Sequence, residues 1–229
     1  MNYNKKTTKE LKLLCKDHNI KGFNNKNKQS LIELLNKTNV PVIDTIKHDM
    51  YTEEILKDLY LLHKQYNIGR TEITKKIGCK VRLSGIPEDV IENIIKFIIH
   101  NKLNDETSIW NRKTGDLYSQ KEGTQECKCF TSSGPSSFTP VSDWDVIYFL
   151  DAREWLRDFF ILYRIPLKRT SEQWKNIKVS EEQTFEDQVK QGRRPRIIWE
   201  SLKSQLGNYC SKVYEGTLND IFIHSKVNE

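Results

Sequence analysis

Three residues of this chain have the types and spacing to do chemistry together: Asp116, Glu126 and Lys128. Between the two acids, Gln120-Lys121-Glu122-Gly123 has the composition of a turn, and Leu117-Tyr118 and Cys127-Lys128-Cys129-Phe130 suit strands. A hairpin centred on Lys121 sets positions 116 and 126 opposite each other, with Cβ atoms about 4.5–5.5 Å apart. Side chains alternate along a strand, so Lys128 shares the face of Glu126, while Cys127 and Cys129 share the other. Two carboxylates held that close repel unless a cation lies between them. Hard oxygen ligands with room for water suit Mg²⁺, with Mn²⁺ as a substitute. A lysine beside such an ion can orient an attacking water or neutralise charge growing on a phosphate.

The pattern resembles the PD-(D/E)XK nuclease superfamily, with Asp116, Glu126 and Lys128 at the motif positions and Gly115 where that family has proline. Upstream, Ile86-Pro87-Glu88-Asp89 followed by Glu92-Asn93 begins a helix. Proline at its first helical position and two acids in its first turn are strong start signals. Together with the later residues this looks like a subset of type II restriction endonucleases. The resemblance implies that Asp116, Glu126 and the Cys127 backbone carbonyl bind the metal and that Lys128 supports the water. It also implies that an acid of the preceding helix, Glu92 first and Glu88 second, supports the metal or its waters.

Charge is unevenly placed. Residues 1–40 hold nine lysines and three acids, leaving 28 basic and 28 acidic residues in the rest. A basic head on a neutral body points to a polyanion-binding module joined to something else. Within it, Leu11, Leu14 and Cys15 share one helical face and Leu31, Leu34 and Leu35 another, with Gly22 between. This helix–turn–helix looks like a SAP motif, a small DNA-binding module, and the resemblance places Lys26 and Lys28 on phosphate backbone.

Residues 41–52 read as a linker and 53–66 as a helix whose apolar stripe carries His63, read as a packed residue. Residues 68–78 continue as a short helix or turn. After the Glu-x-Lys strand, 131–140 is rich in Ser, Gly and Pro. Such a stretch reads as a loop whose hydroxyls, Ser132, Ser133, Ser136 and Ser137, suit DNA contacts. Residues 144–151 form the best candidate for a buried central strand, and 159–165 for another. Further on, Gln183, Gln188, Arg193, Arg194 and Arg196 precede a helix expected at 197–206. Arginine matches guanine or phosphate bidentately, and glutamine matches adenine. Gly216 onward reads as a polar tail with one apolar patch, Ile221-Phe222-Ile223, that packs back on the core or contributes to a dimer.

No apolar run reaches membrane length, and the polar N-terminus lacks signal-peptide form. Five cysteines without framework spacing suggest a reducing compartment, cytoplasmic or nuclear, with a viral setting among those where SAP motifs occur. Cys127-x-Cys129 has no second Cys/His pair nearby, which leaves two core thiols and no zinc site.

The expected fold is α/β: a restriction-endonuclease-like mixed central sheet flanked by helices at 53–229, plus the SAP-like module at 1–40. The expected function is Mg²⁺-dependent, sequence-specific cleavage of double-stranded DNA by a homodimer, without a small-molecule cofactor or membrane partner. A structure-selective or repair nuclease of the same superfamily and a non-catalytic SAP-type DNA-binding protein are the alternatives.

Overall fold

The computed structural model describes residues 6–17, 20, 22–37, 51–79, 84–111 and 115–223. The chain divides into two compact units, Met1–His48 and Asp49–Glu229. In the first, α1 (Thr8–Asp17) and α2 (Lys28–Lys37) close on Leu11, Cys15, Ile20, Leu31, Ile32 and Leu35. Thr7 and Glu10 form a reciprocal cap on α1, and the Asn27 side chain accepts the Ser30 N–H at 2.9 Å to start α2. Most of the linker expected at 41–52 lies outside the described residues.

In the second unit, α3 (Glu53–Ile77) starts at a Thr52 cap and ends at Gly78 in the left-handed region. It runs unbroken through Gly69, where the sequence suggested a separate helix or turn. One interior glycine costs about 1 kcal/mol, too little to end a helix that has no proline or cap there. The expected apolar stripe is only partly buried: Leu56 and Tyr60 are covered, whereas Leu62 and Tyr66 are exposed. His63 packs as expected, stacking on Trp155 with ring centroids 5.5 Å apart. Then comes α4 (Glu88–Leu103), with Pro87 as its N-cap and not its first helical residue.

A six-stranded sheet is laid down in the order β1 (Ile109–Trp110), β2 (Leu117–Ser119), β3 (Gly123–Phe130), β5 (Val146–Asp151), β6 (Phe159–Ile165) and β8 (Ser211–Thr217). Every pairing is antiparallel except β3 with β5. The central β5 is buried at all six positions. Its side chains alternate between two cores: Val146, Tyr148 and Leu150 meet α3, α4 and α8 (Leu218–Phe222), while Ile147 and Phe149 meet the opposite layer. That layer holds α5 (Glu172–Lys175), α6 (Phe185–Lys190) and α7 (Trp199–Leu206).

Two expectations are corrected. The segment at 131–140 is not all loop, because β4 (Pro135–Ser137) pairs antiparallel with β7 (Arg196–Ile198) in a separate two-stranded sheet. The chain from Gly216 is not a polar tail, because β8 and α8 carry it back, and its apolar patch packs on the core, one of the two outcomes expected of it, with Ile221 and Phe222 buried on the α4 side. Among the described residues no helix is long and apolar enough to cross a membrane.

Candidate active site

The β2–β3 hairpin pairs Leu117 with Gln125, Tyr118 with Thr124 and Ser119 with Gly123. This register turns about Lys121 and continues to Asp116 opposite Glu126, as the spacing suggests. The pairing stops there. From Glu126 onward β3 keeps β5 on one edge and, among the described residues, has no strand on the other. Onto that other edge Asp116 folds its carboxylate, with Oδ2 accepting the Cys127 N–H at 2.7 Å. In an extended strand the N–H and C=O of one residue point to the same edge, so the Cys127 carbonyl faces the Asp116 side as well.

Gly115 aims Asp116. It takes φ +69, and a Cβ there would meet the Thr124 methyl at 2.6 Å and the Gln125 carbonyl at 3.1 Å. Proline is locked near φ −65°, so this chain cannot carry the proline of the PD-(D/E)XK pattern at 115. The departure has a local conformational cause.

Glu126 and Lys128 project from the other side of β3 and pair with each other, Lys128 Nζ to Glu126 Oε1. Ser142 stands by Glu126 in the same cleft and favours its ionised form. Glu92 comes from the second turn of α4, its Oε2 accepting the Trp110 indole N–H at 2.5 Å. All four line one open cleft of about 550 Å³, together with Glu88, Thr131, Pro135, Ser136, Ser137, Thr139 and Ser142. One wall is therefore acidic and the other is hydroxyl-bearing.

Electrostatics show the cost of this arrangement. Burial raises the Glu92 carboxyl to about 7, with the Asp116 charge adding to it. It also raises Asp116, against the pull of the Cys127 N–H, and Glu126, against that of Lys128. For Lys128, burial disfavours the charge, but the Glu126 and Asp116 charges win and hold its proton more tightly than usual. Among the described residues, four carboxyls, those of Glu88, Glu92, Asp116 and Glu126, line the cleft with one ammonium, that of Lys128. Burial keeps the Cys127 thiol well above its ordinary range, so this side chain is a neutral wall packed in the core.

Among the described residues no three His, Cys, Asp or Glu side chains converge to enclose a metal. Mg²⁺ is ordinarily held by one or two carboxylates plus waters and substrate phosphate, so a full cage is not required of it. A buried carboxylate, a half-buried one and a backbone carbonyl in an acidic cleft fit that ion.

Of the other expected residues, Ser136 and Ser137 share the cleft and the rest are dispersed. Ser132, Ser133, Ser137, Arg193, Arg194 and Arg196 are exposed, as are Lys26 and Lys28 in the first unit. Gln183 is half-buried, and its Oε1 accepts from Gln188 at 3.1 Å. Gln188 is 8% exposed and donates that bond, which braces the start of α6. Ser136 is likewise not at the surface: it is 9% exposed, in the cleft wall. Sequence reasoning missed Thr131, Thr139 and Ser142 as cleft residues and Trp110 as the partner of Glu92. Serines and threonines carry no local signal that tells a cleft wall from a loop.

A protein-family model described as Bsp6I restriction endonuclease matches residues 52–206, well over half of the chain. Comparison with curated proteins and with solved structures finds no match. The chain belongs to the Bsp6I restriction endonuclease family.

Proposed function

From that membership, which makes the chain a DNA-cleaving nuclease, we propose a Mg²⁺-dependent, sequence-specific endonuclease of the type II kind, acting on double-stranded DNA. The observation that carries the reading is the meeting of Asp116, Glu126, Lys128 and Glu92 in one cleft. Asp116, Glu126 and the Cys127 carbonyl would hold Mg²⁺, with Mn²⁺ able to substitute. Bound there, the ion supplies Lewis-acid stabilisation of phosphoryl charge.

The chain's own residues do the rest. Lys128, held protonated, orients the attacking water and faces the negative charge that grows on the phosphate. Glu92 is tied to Trp110 through Oε2, leaving Oε1 to accept a proton from the water. A carboxyl with a pKa raised to about 7 suits a proton acceptor near neutrality. The water oxygen bonds to phosphorus as the bond to the 3′-oxygen breaks, and the leaving 3′-oxygen takes a proton from solvent in the open cleft, giving a 5′-phosphate and a 3′-hydroxyl. Ser132, Ser133 and Ser137 with Gln183, Arg193, Arg194 and Arg196 face the DNA. Lys26 and Lys28 of the two-helix unit, read as SAP-like, hold phosphate backbone without reading sequence.

Two-fold symmetric DNA cut on both strands calls for two identical sites, hence a homodimer. Support comes from the outer side of α3, where Leu62, Ile73 and Ile77 are 66, 56 and 58% exposed.

The test is plasmid digestion in Mg²⁺ with wild type and Asp116→Ala. Discrete fragments from wild type and a loss on the order of 10²–10³-fold in rate for the variant are expected, the scale seen when one preorganised charge-stabilising group is removed. If the variant cuts at the wild-type rate, the site assignment is wrong. If wild type cuts no DNA, the protein is a binding module.

A further inference from the structure

The two strands of the small sheet carry different chemistry on their two sides. β4 and β7 pair with Pro135 opposite Ile198, Ser136 opposite Ile197 and Ser137 opposite Arg196. Ser136 and Ile197 face inward, 9 and 3% exposed. Pro135, Ser137, Arg196 and Ile198 face outward and are exposed. Opposed residues of an antiparallel pair have neighbouring Cβ atoms, so a hydroxyl and a guanidinium stand side by side on the outer face. The side chains of Arg194 and Arg196 enter no ion pair or hydrogen bond among the described residues. Arginines left without an acid beside a nuclease cleft complement a polyanion.

The inner side leads into the cleft, where Pro135, Ser136 and Ser137 share the lining with Glu126 and Lys128. There the buried Ser136 hydroxyl has no hydrogen-bond partner. Buried hydroxyls nearly always have one, so a polar partner is missing at this point of the cleft wall. The ribbon is also firmly seated. The Phe138 N–H donates to the Pro195 carbonyl at 3.0 Å, and the Phe138 ring is fully buried against Trp144, Phe149, Trp174 and Phe185. A two-stranded ribbon fits the major groove, and arginine to guanine is its commonest specific contact.

We propose that the β4–β7 ribbon is the sequence-reading element, lying in the major groove beside the scissile phosphate. Arg196 reads a guanine edge, with Ser137 next to it. Ser136, on the opposite side of the same strand, donates its hydroxyl proton to a phosphate oxygen in the cleft. One short ribbon thereby joins recognition to cleavage. This rests on the endonuclease reading above.

The test selects bound sequences from a randomised duplex pool with the full chain, Ca²⁺ replacing Mg²⁺ to prevent cutting. Wild type should enrich a motif containing guanine. Arg196→Ala should lose preference at one guanine by roughly 10–100-fold, the scale of a bidentate base contact, while non-specific affinity changes little. If the variant keeps the whole motif but binds all sequences more weakly, with a salt slope smaller by about 1, Arg196 holds phosphate and the ribbon proposal falls. It falls too if wild type enriches no motif.

Ser136→Ala should keep the motif and slow single-turnover cleavage. An unchanged rate refutes the role given to Ser136. Tryptophan fluorescence checks that both variants are folded. A motif that depends on Arg196 in a protein that cuts nothing sinks the endonuclease reading alone. Discrete cutting with an Arg196-independent motif sinks the ribbon alone.

Discussion

Glu92→Gln should stabilise the metal-free protein at alkaline pH and do almost nothing in acid. The cleft packs Glu92 near Asp116, with Lys128 as the one ammonium near it among the described residues, and its carboxyl rises from 4.5 to about 7. The unfolded chain releases this proton near pH 4.5 and the folded chain only near 7. The fold therefore binds more protons across that window and loses stability as the pH climbs through it. Below pH 4.5 the group is neutral in both states and its burial carries no charge penalty. Above pH 7 the full penalty is present, about 3 kcal/mol if the shift counts at face value. The cleft is open to water, and screening reduces this to about 1–2 kcal/mol. Glutamine keeps an oxygen to accept the Trp110 indole N–H, so that hydrogen bond survives.

The assay is thermal unfolding in EDTA at pH 4.5 and pH 8, followed by tryptophan fluorescence. The five tryptophans, Trp110, Trp144, Trp155, Trp174 and Trp199, all lie in the second unit, so the signal reports that unit alone. At pH 8 the variant should melt roughly 2–8 °C higher than wild type, and at pH 4.5 within about a degree. Adding Mg²⁺ at pH 8 should narrow the gap, because a bound cation relieves the same repulsion in wild type. An equal shift at both pH values, or a less stable variant at pH 8, would refute the claim that the acids of this cleft strain the fold.

Two more outcomes follow from the packing and the charge distribution. Phe138→Ala should lose about 3–5 kcal/mol in urea unfolding, as a fully buried ring is removed from a cluster of four aromatic neighbours; a loss under about 1 kcal/mol would mean that this core collapses around the gap. Replacing Lys26 and Lys28 together by Ala should lower the slope of log affinity against log salt by up to about 2 and leave the cut positions unchanged. Altered cut positions would show that the two-helix unit reads sequence.

What the sequence reveals and what it hides divide along a physical line. Asp116, Glu126 and Lys128 lie in one hairpin, and the position of a turn fixes a hairpin's register, so a spacing of ten residues predicts which side chains oppose each other. The β5 and β6 strands and the start of α4 are equally local, written in apolar runs and first-turn acids. The β4–β7 pairing joins residues 135–137 to 196–198, three apiece, and no run that short has a periodicity to read. The burial of Gln188 and the indole bond to Glu92 depend on partners that only the fold brings near. The chemistry is thus encoded within short windows, while the surface proposed to choose the DNA is assembled at long range. Such a division has a mechanical consequence. Substitutions at 193, 194 and 196 change exposed side chains and leave the β3 edge, Gly115 and the Asp116–Cys127 bond in place. Specificity can then drift while hydrolysis is preserved, except at Ser136, where the ribbon and the cleft share one residue.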